Sequence, residues 1–280
     1  MTKRRPRRGY ALVAAVAALA LFGSLSLLLI GSSRGAIDAA AAEAGRVRAH
    51  AAADAGVAIA LDNLLSDREV RWPVDGRRRE VRFGDARLAI RIEDQHGKVA
   101  INRGYAQLVD TTLQHAGLSG QRLRIARDSL LDWLDFDDEQ RAEGAEAPYY
   151  ARTGIAPRDA PLRSVDELAR VRGFDAATVA RLRGFVTTDH IAGSFAEESA
   201  TPDAIHAQYG AAGAAVAVRR QKELAGQAVA LDIASKAPLT FRPLAIGVEA
   251  VLPDGARARR VAVVELTGDR RRPYVVRRWE

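Results

Sequence analysis

Cysteine is absent from all 280 residues. Its absence excludes a disulfide framework, zinc-thiolate sites and a cysteine nucleophile. Histidine is scarce: His50, His96, His115, His190 and His206 are scattered without ligand spacing. Ser24, Ser26, Ser32 and Ser33 lie in or beside an apolar run, and no glycine-rich phosphate loop occurs. The expectation is a protein that is not an enzyme. A chain of this length can bury a real core without disulfides, in one or two domains.

Charge is missing from one long stretch. Apart from the Tyr10 phenol, residues 10–30 carry no ionisable side chain. As a helix they reach roughly 30 Å, the thickness of a bilayer core. Immediately before them stand Lys3, Arg4, Arg5, Arg7 and Arg8, ending at Gly9. Cations before an apolar run hold the N-terminus in the cytoplasm and send the following residues across the membrane. A cleaved secretory signal is the plainer alternative, but its apolar core is usually shorter and ends at small residues. These five cations supply most of the formal net charge of +7, leaving +2 on residues 10–280. The basic pI is thus an orientation signal rather than a nucleic-acid footprint.

Residues 31–66 stay rich in alanine, with Val57, Leu61, Leu64 and Leu65 at helical spacing, so the membrane helix is expected to continue into water. Gly31, Gly35, Gly45 and Gly56 are points where it can bend or break. Residues 67–103 form the first part of a sheet, where 80–102 alternate in two runs around Gly84-Asp85 with Leu88, Ile90 and Ile92 on one face. Residues 104–210 read as a helical insertion, with helices at 105–115, 121–134, 164–172, 175–185 and 202–209. Ser164 with Glu167 reads as a capping box and Asp175 as an N-cap. Residues 211–280 return to an antiparallel sheet, its strands following Gln227.

A basic leader ending in Gly, an apolar helix from an aromatic residue, and a helix-plus-sheet body resemble a type IV prepilin or pseudopilin. Four stretches sharpen the likeness: "GYALVAAV", "GKVAIN" at 97–102, "DSLLDWLDFDDEQRAEGAEAPYY" at 128–150 and "PLRSVDELARVRGFDAATVARLRGFVTT" at 161–188. They are similar to the general secretion pathway protein K family, the K-type minor pseudopilins of type II secretion. Two segments depart from that family, which tends to an Asn-Leu-Asn-like run where Ala100-Ile101-Asn102 stands and to an Asn-rich segment in place of "SFAEESATPDAIHAQ".

The resemblance implies an α+β fold: a transmembrane helix packed on an antiparallel sheet, with a large all-α insertion. It implies leader cleavage between Gly9 and Tyr10, with methylation of the new terminus, and a single-pass protein of the bacterial inner membrane whose main domain is periplasmic. The partners it implies are membrane lipid, a prepilin peptidase, the inner-membrane secretion platform and other minor pseudopilins at a filament tip. Major subunits carry a glutamate at the fifth mature position, where this chain has Ala14. An unpartnered carboxylate in an apolar core is costly, so a subunit with no neighbour above it is better without one.

Asp132, Asp135, Asp137, Asp138, Glu139, Glu143 and Glu146 crowd around one Arg141. Asp132 and Asp135 fall at a helix C-terminus, where the dipole disfavours carboxylates and a cation should compensate. Oxygen-only ligands suit Ca²⁺, and the resemblance implies calcium as well; Asp132, Asp135, Asp137 and Glu146 are the candidate ligands. A solvated acidic loop paired with Arg141 or Arg152 is the alternative. Residues 165–185 also read as a helix-hairpin-helix around Gly173, which would make a membrane-anchored DNA-binding protein. Nucleic acid remains the less economical partner, since the same residues pack as a helical pair.

Overall fold

The computed structural model describes residues 10–66, 70–103, 105–154, 157–189, 195–230 and 238–280, without the side chains of 10–11, 25–34, 103, 153 and 227–230. Helix α1 (Tyr10–Leu65) is one unbroken element of 56 residues. None of the four glycines breaks it. Gly56 instead lets the helix lie close on the sheet, since a Cβ there would fall 2.6 Å from Val248 Cγ1. Among the described residues no helix is long and apolar enough to cross a membrane. The leader, Gly9 included, and the side chains of 25–30 in the expected span lie outside them.

Strands β1 (Arg79–Phe83) and β2 (Ala86–Asp94) form the expected hairpin, turning at Gly84 with φ +59°. The insertion follows: β3 (Val99–Ala100), α2 (Ala106–His115), α3 (Gly120–Leu134), the short α4 (Ala147–Tyr150), α5 (Ala176–Leu182), β4 (Val186–Thr187) and α6 (Pro202–Ala230). The chain then returns as β5 (Pro243–Val251), β6 (Arg257–Leu266) and β7 (Tyr274–Trp279). The sheet order is β1-β2-β5-β6-β7, with every neighbour antiparallel. The insertion therefore opens out of a hairpin between adjacent strands, β2 and β5. At its mouth the buried Asp94 carboxylate accepts from Arg242 at 2.6 Å and from the Ser199 hydroxyl at 3.0 Å.

Two cores result. In one, Ala53, Val57, Ala60 and Leu64 of α1 cover Leu88, Ile90 and Ile92 of β2 and the matching face of β5 and β6. In the other, the insertion closes around Trp133, Leu130, Tyr150, Leu168 and Ile205.

Three expectations need correction. The insertion is not all-α and begins before residue 104, because β3, in the 67–103 stretch expected to belong to the main sheet, pairs in parallel with β4 instead. Its helical part does not stop at 210: α6 kinks at Gly210 but runs on to Ala230, burying Ala214 and Ala217 against the insertion's core. Ser164 makes no side-chain cap, and Glu167 serves other donors: the Trp133 indole N–H at 3.3 Å and the Arg163 N–H at 2.9 Å. The segment it begins, Val165–Arg170, is a 3-10 helix. Asp175 does cap α5, accepting from the Thr178 N–H at 2.7 Å.

The seating of α1 is testable. Gly56→Val drives a branched side chain into Val248 and should cost about 1–3 kcal/mol, read as a lower chemical-denaturation midpoint. An unchanged midpoint would mean that this close approach does not hold the helix on the sheet.

Candidate functional site

The acidic motif begins on α3, whose last turns point Asp128 and Asp132 into the protein. Leucines and Trp133 on the same helix fill the core, so the carboxylates are carried inside by the helix that packs there. Asp132 is fully buried. The following loop folds back over it and brings Arg141, whose Nη1 donates to Asp132 Oδ1 at 2.7 Å and to Asp135 Oδ2 at 2.5 Å. Burial opposes the charge on Arg141, but these two carboxylates win and raise its pKa. Asp128 holds the loop's return by accepting from the Glu143 N–H at 3.2 Å. Gly144 then lies against Asp132, where an added Cβ would come within 1.8 Å of Oδ2.

Glu146 follows two residues later with only 3 % of its surface exposed. Its Oε1 is buried without a hydrogen-bond partner, as is Asp135 Oδ1. Burial first, then the charges of Asp132, Asp135, Asp159 and Asp138, pushes the Glu146 carboxyl up to about 7. One arginine thus faces more negative charge than it can neutralise, and two buried oxygens lack donors. Uncompensated buried oxygens of this kind fit a hard cation.

Of the four expected ligands, Asp132, Asp135 and Glu146 come together electrostatically. Asp137 is used differently: its Oδ1 accepts from the Glu139 N–H at 2.9 Å in the exposed part of the loop. As the side chains stand, no three His, Asp or Glu among the described residues are arranged to hold an ion. Arg141 occupies the place between Asp132 and Asp135, and the expected pairing with Arg141 is present. Arg152 instead lies over the Tyr149 ring at 5.8 Å. Asp159 was missed in the sequence. It sits outside the acidic run, in a left-handed conformation at φ 46°, with a buried unpartnered Oδ1.

The aromatic half of the motif is structural. Trp133 and Tyr150 meet edge to face at 5.2 Å, and the Tyr150 hydroxyl accepts from the Arg172 N–H at 3.1 Å. Arg172 Nη1 donates to the Gly144 carbonyl at 2.8 Å, so the 161–188 segment clamps the acidic loop. Asn102 makes a second clamp, its Nδ2 donating to the Leu162 carbonyl at 3.0 Å and its Oδ1 accepting from the Leu162 N–H at 2.9 Å.

The turn expected at the centre of a helix-hairpin-helix packs as part of the helical pair. Gly173 has φ +92°, and a Cβ on it would stand 2.8 Å from Ala126 Cα. The turn is pressed onto α3, so Gly173 is required by the close approach of the two backbones.

Residues 89–188 match the family model described as type II secretion system protein K. By that match, this segment of the chain is similar to the protein K family of type II secretion. The mixed helix and antiparallel-sheet fold agrees. A chain of the crystal structure of the GspK-GspI-GspJ complex from the enterotoxigenic Escherichia coli type 2 secretion system aligns with a TM-score of 0.58. It shares 15% identity, over 89% of this chain and 98% of that one. No curated protein matches the sequence. Within the family segment fall both clamps and the whole acidic loop, whereas α1 and the last three strands lie outside it.

The Glu146 environment sets a pH dependence. A folded-state pKa of about 7 against 4.5 means that folding takes up a proton between those values. With chelator present, stability should therefore be greatest below the lower value and fall as pH rises through the upper one, by at most about 3 kcal/mol. Glu146→Gln should flatten that slope in pH-dependent urea melts. An equal slope in the variant would show that Glu146 is not the group responsible.

Proposed function

We propose that this protein is a non-catalytic minor pseudopilin seated at the tip of a short periplasmic filament of the type II secretion system, which exports folded proteins across the outer membrane. The observation that carries this reading is where the insertion grows. Gly45 and Arg48 of α1 lie beside the β5–β6 turn at Asp254, whereas the Asp94–Arg242 mouth opens at the other end of the sheet. There the chain leaving α1 returns, with the Trp72 N–H bonded to Asn63 Oδ1 at 2.6 Å and Gly76 bridged to Ile92 at 2.9 Å. The helical body therefore springs from the end of the sheet away from the α1 N-terminus. A subunit anchored by that N-terminus carries its bulk where the next subunit would stack, which suits a cap and not a repeat. Ala14, on the exposed N-terminal part of α1, agrees, since a terminal subunit has no neighbouring amine to neutralise.

In this reading residues 10–30 cross the inner membrane, the N-terminus is cytoplasmic and a prepilin peptidase cuts between Gly9 and Tyr10. The secretion platform then extracts the subunit from the lipid. GspI and GspJ accompany GspK in the similar crystal structure, and the corresponding minor pseudopilins are the partners we assign here. The mature protein should begin at Tyr10 by mass spectrometry, and Gly9→Arg should leave an unprocessed membrane protein that no longer supports secretion. Secretion carried by the uncut form would overturn the assignment.

Calcium belongs to the same reading. Asp132, Asp135 and Glu146 would hold the ion once Arg141 withdraws, and Ca²⁺ would supply the positive charge that their carboxylates lack. Binding to the folded state alone stabilises by RT ln(1 + [L]/Kd), about 2.7 kcal/mol at a hundredfold excess over Kd. The fragment from Ala36 onward should melt later with calcium than with chelator, and Asp135→Asn with Glu146→Gln should remove the difference. Equal melting in calcium and chelator would leave the loop as an arginine-paired acidic turn.

A further inference from the structure

The face of the sheet turned away from α1 has a charge pattern that the filament reading does not use. Alternation puts Arg82, Arg87, Arg91, Arg257 and Arg259 on that face, because Val81, Leu88, Ile90 and Ala258 point to the α1 side. Arg82 and Arg87 are directly opposed across β1 and β2, and Arg87 continues through Val251 to Arg257 in one row of the register. Like charges directly opposite destabilise a sheet, and adjacent strands are only about 4.8 Å apart. Some arginines are answered by carboxylates: Arg78 by Glu80 and Glu249 on this same face, and Arg48 by Asp254 and Arg260 by Asp54 on the α1 side. The five on this face have no ion pair or hydrogen bond among the described residues, and all are exposed.

The row leads into a cavity of about 510 Å³ between the sheet and the insertion, where Glu93, Asp166, Asp189 and Glu280 are paired with Lys98, Arg183 and Arg278 and the unpaired charges on the walls are Arg91 and Arg259. Its floor includes Gly247, in the central strand, where a Cβ would meet nothing. Glycine weakens a strand interior and marks places where another backbone comes close, and here the chain's own packing does not require it.

We infer that this face is a docking surface for an acidic, extended segment of another protein, with carboxylates along Arg82, Arg87 and Arg257 and the segment's end in the cleft over Gly247. Nucleic acid fits less well, because among the described residues this face offers no aromatic ring on which a base could stack. A lipid surface is too distant. The arginine row is level with the β5–β6 turn beside Gly45, and fifteen helical residues from position 30 put it about 22 Å below the bilayer, beyond two Debye lengths. Only the exclusion of lipid rests on the membrane reading of residues 10–30.

The test uses the full chain in neutral detergent and a fluorescein-labelled ten-residue peptide of alternating Glu and Ser, followed by fluorescence anisotropy. Binding should weaken as salt rises. Arg87→Glu with Arg257→Glu should lose at least tenfold in affinity, and Arg91→Ala with Arg259→Ala should lose severalfold. Arg219→Glu, an exposed charge reversal on α6, should change little. Because Arg87→Glu replaces a like-charge pair with an opposite one, that variant should melt no lower than the parent, which separates lost binding from lost folding. The inference is overturned if the peptide does not bind at low salt, or if Arg219→Glu loses as much as Arg87→Glu with Arg257→Glu. Tighter binding to a DNA duplex than to the peptide would also overturn it. None of these outcomes bears on leader cleavage or on the role proposed in secretion.

Discussion

The closeness with which α1 lies on the sheet is the constraint from which the rest of the architecture follows. The sequence of the helix is apolar all round in its N-terminal part, while its C-terminal part turns only Ala49, Ala53, Gly56, Ala60 and neighbouring apolar residues to the sheet. Small side chains allow the backbone to approach, and the larger Val57, Leu61 and Leu64 fill what remains. This fixes which face of β2, β5 and β6 is core. It leaves the opposite face, with its arginines, free for contacts outside the subunit.

A second constraint lies at the hairpin mouth. Because β2 and β5 are neighbours, a domain can be inserted between them while its two ends remain adjacent, and closing even a long loop adds little entropy beyond a short one. Asp94 is buried at the junction, where leaving it unpaired would be expensive. Arg242, Ser199 and the His96 N–H all satisfy it, tying the last residue of β2 to the residue before β5 and to the insertion. The two cores are thus separate in packing yet joined at this carboxylate, and again where Arg278 of β7 pairs with Asp189 of the insertion.

What the sequence revealed depended on whether the cause was local. The Gly84-Asp85 turn and the shared face of Leu88, Ile90 and Ile92 were legible because period-two alternation and turn chemistry are properties of a few adjacent residues. Asp175 was legible as a cap for the same reason. The Ser164–Glu167 box was not, since a buried indole N–H competes for the same carboxylate and wins. The second half of α6 was hidden because its alanine-rich run has little amphipathic contrast until Ala214 and Ala217 meet the insertion core. In the acidic site the crowding of Asp132, Asp135 and Glu146 was visible in the motif. Asp159 was not, because its contribution comes from the folded path of the chain rather than from spacing.

The two charged regions treat excess charge in opposite ways, and the difference follows from burial. Around Asp132 the imbalance is enclosed, so the protein answers it internally with Arg141 and by raising the proton affinity of Glu146. Dielectric screening is weak there and an unanswered charge would be felt in full. On the outer sheet face the arginines stand in water, where mutual repulsion between exposed side chains costs only tenths of a kcal/mol to about 1 kcal/mol per pair. Such a cost is small enough to keep in the free subunit and is removed when carboxylates arrive from outside. A buried imbalance must be resolved by folding, whereas an exposed one can be left for a partner to resolve. The central Gly247, open above and required by no contact within the chain, lies on the side of the molecule where the charge has been left unresolved.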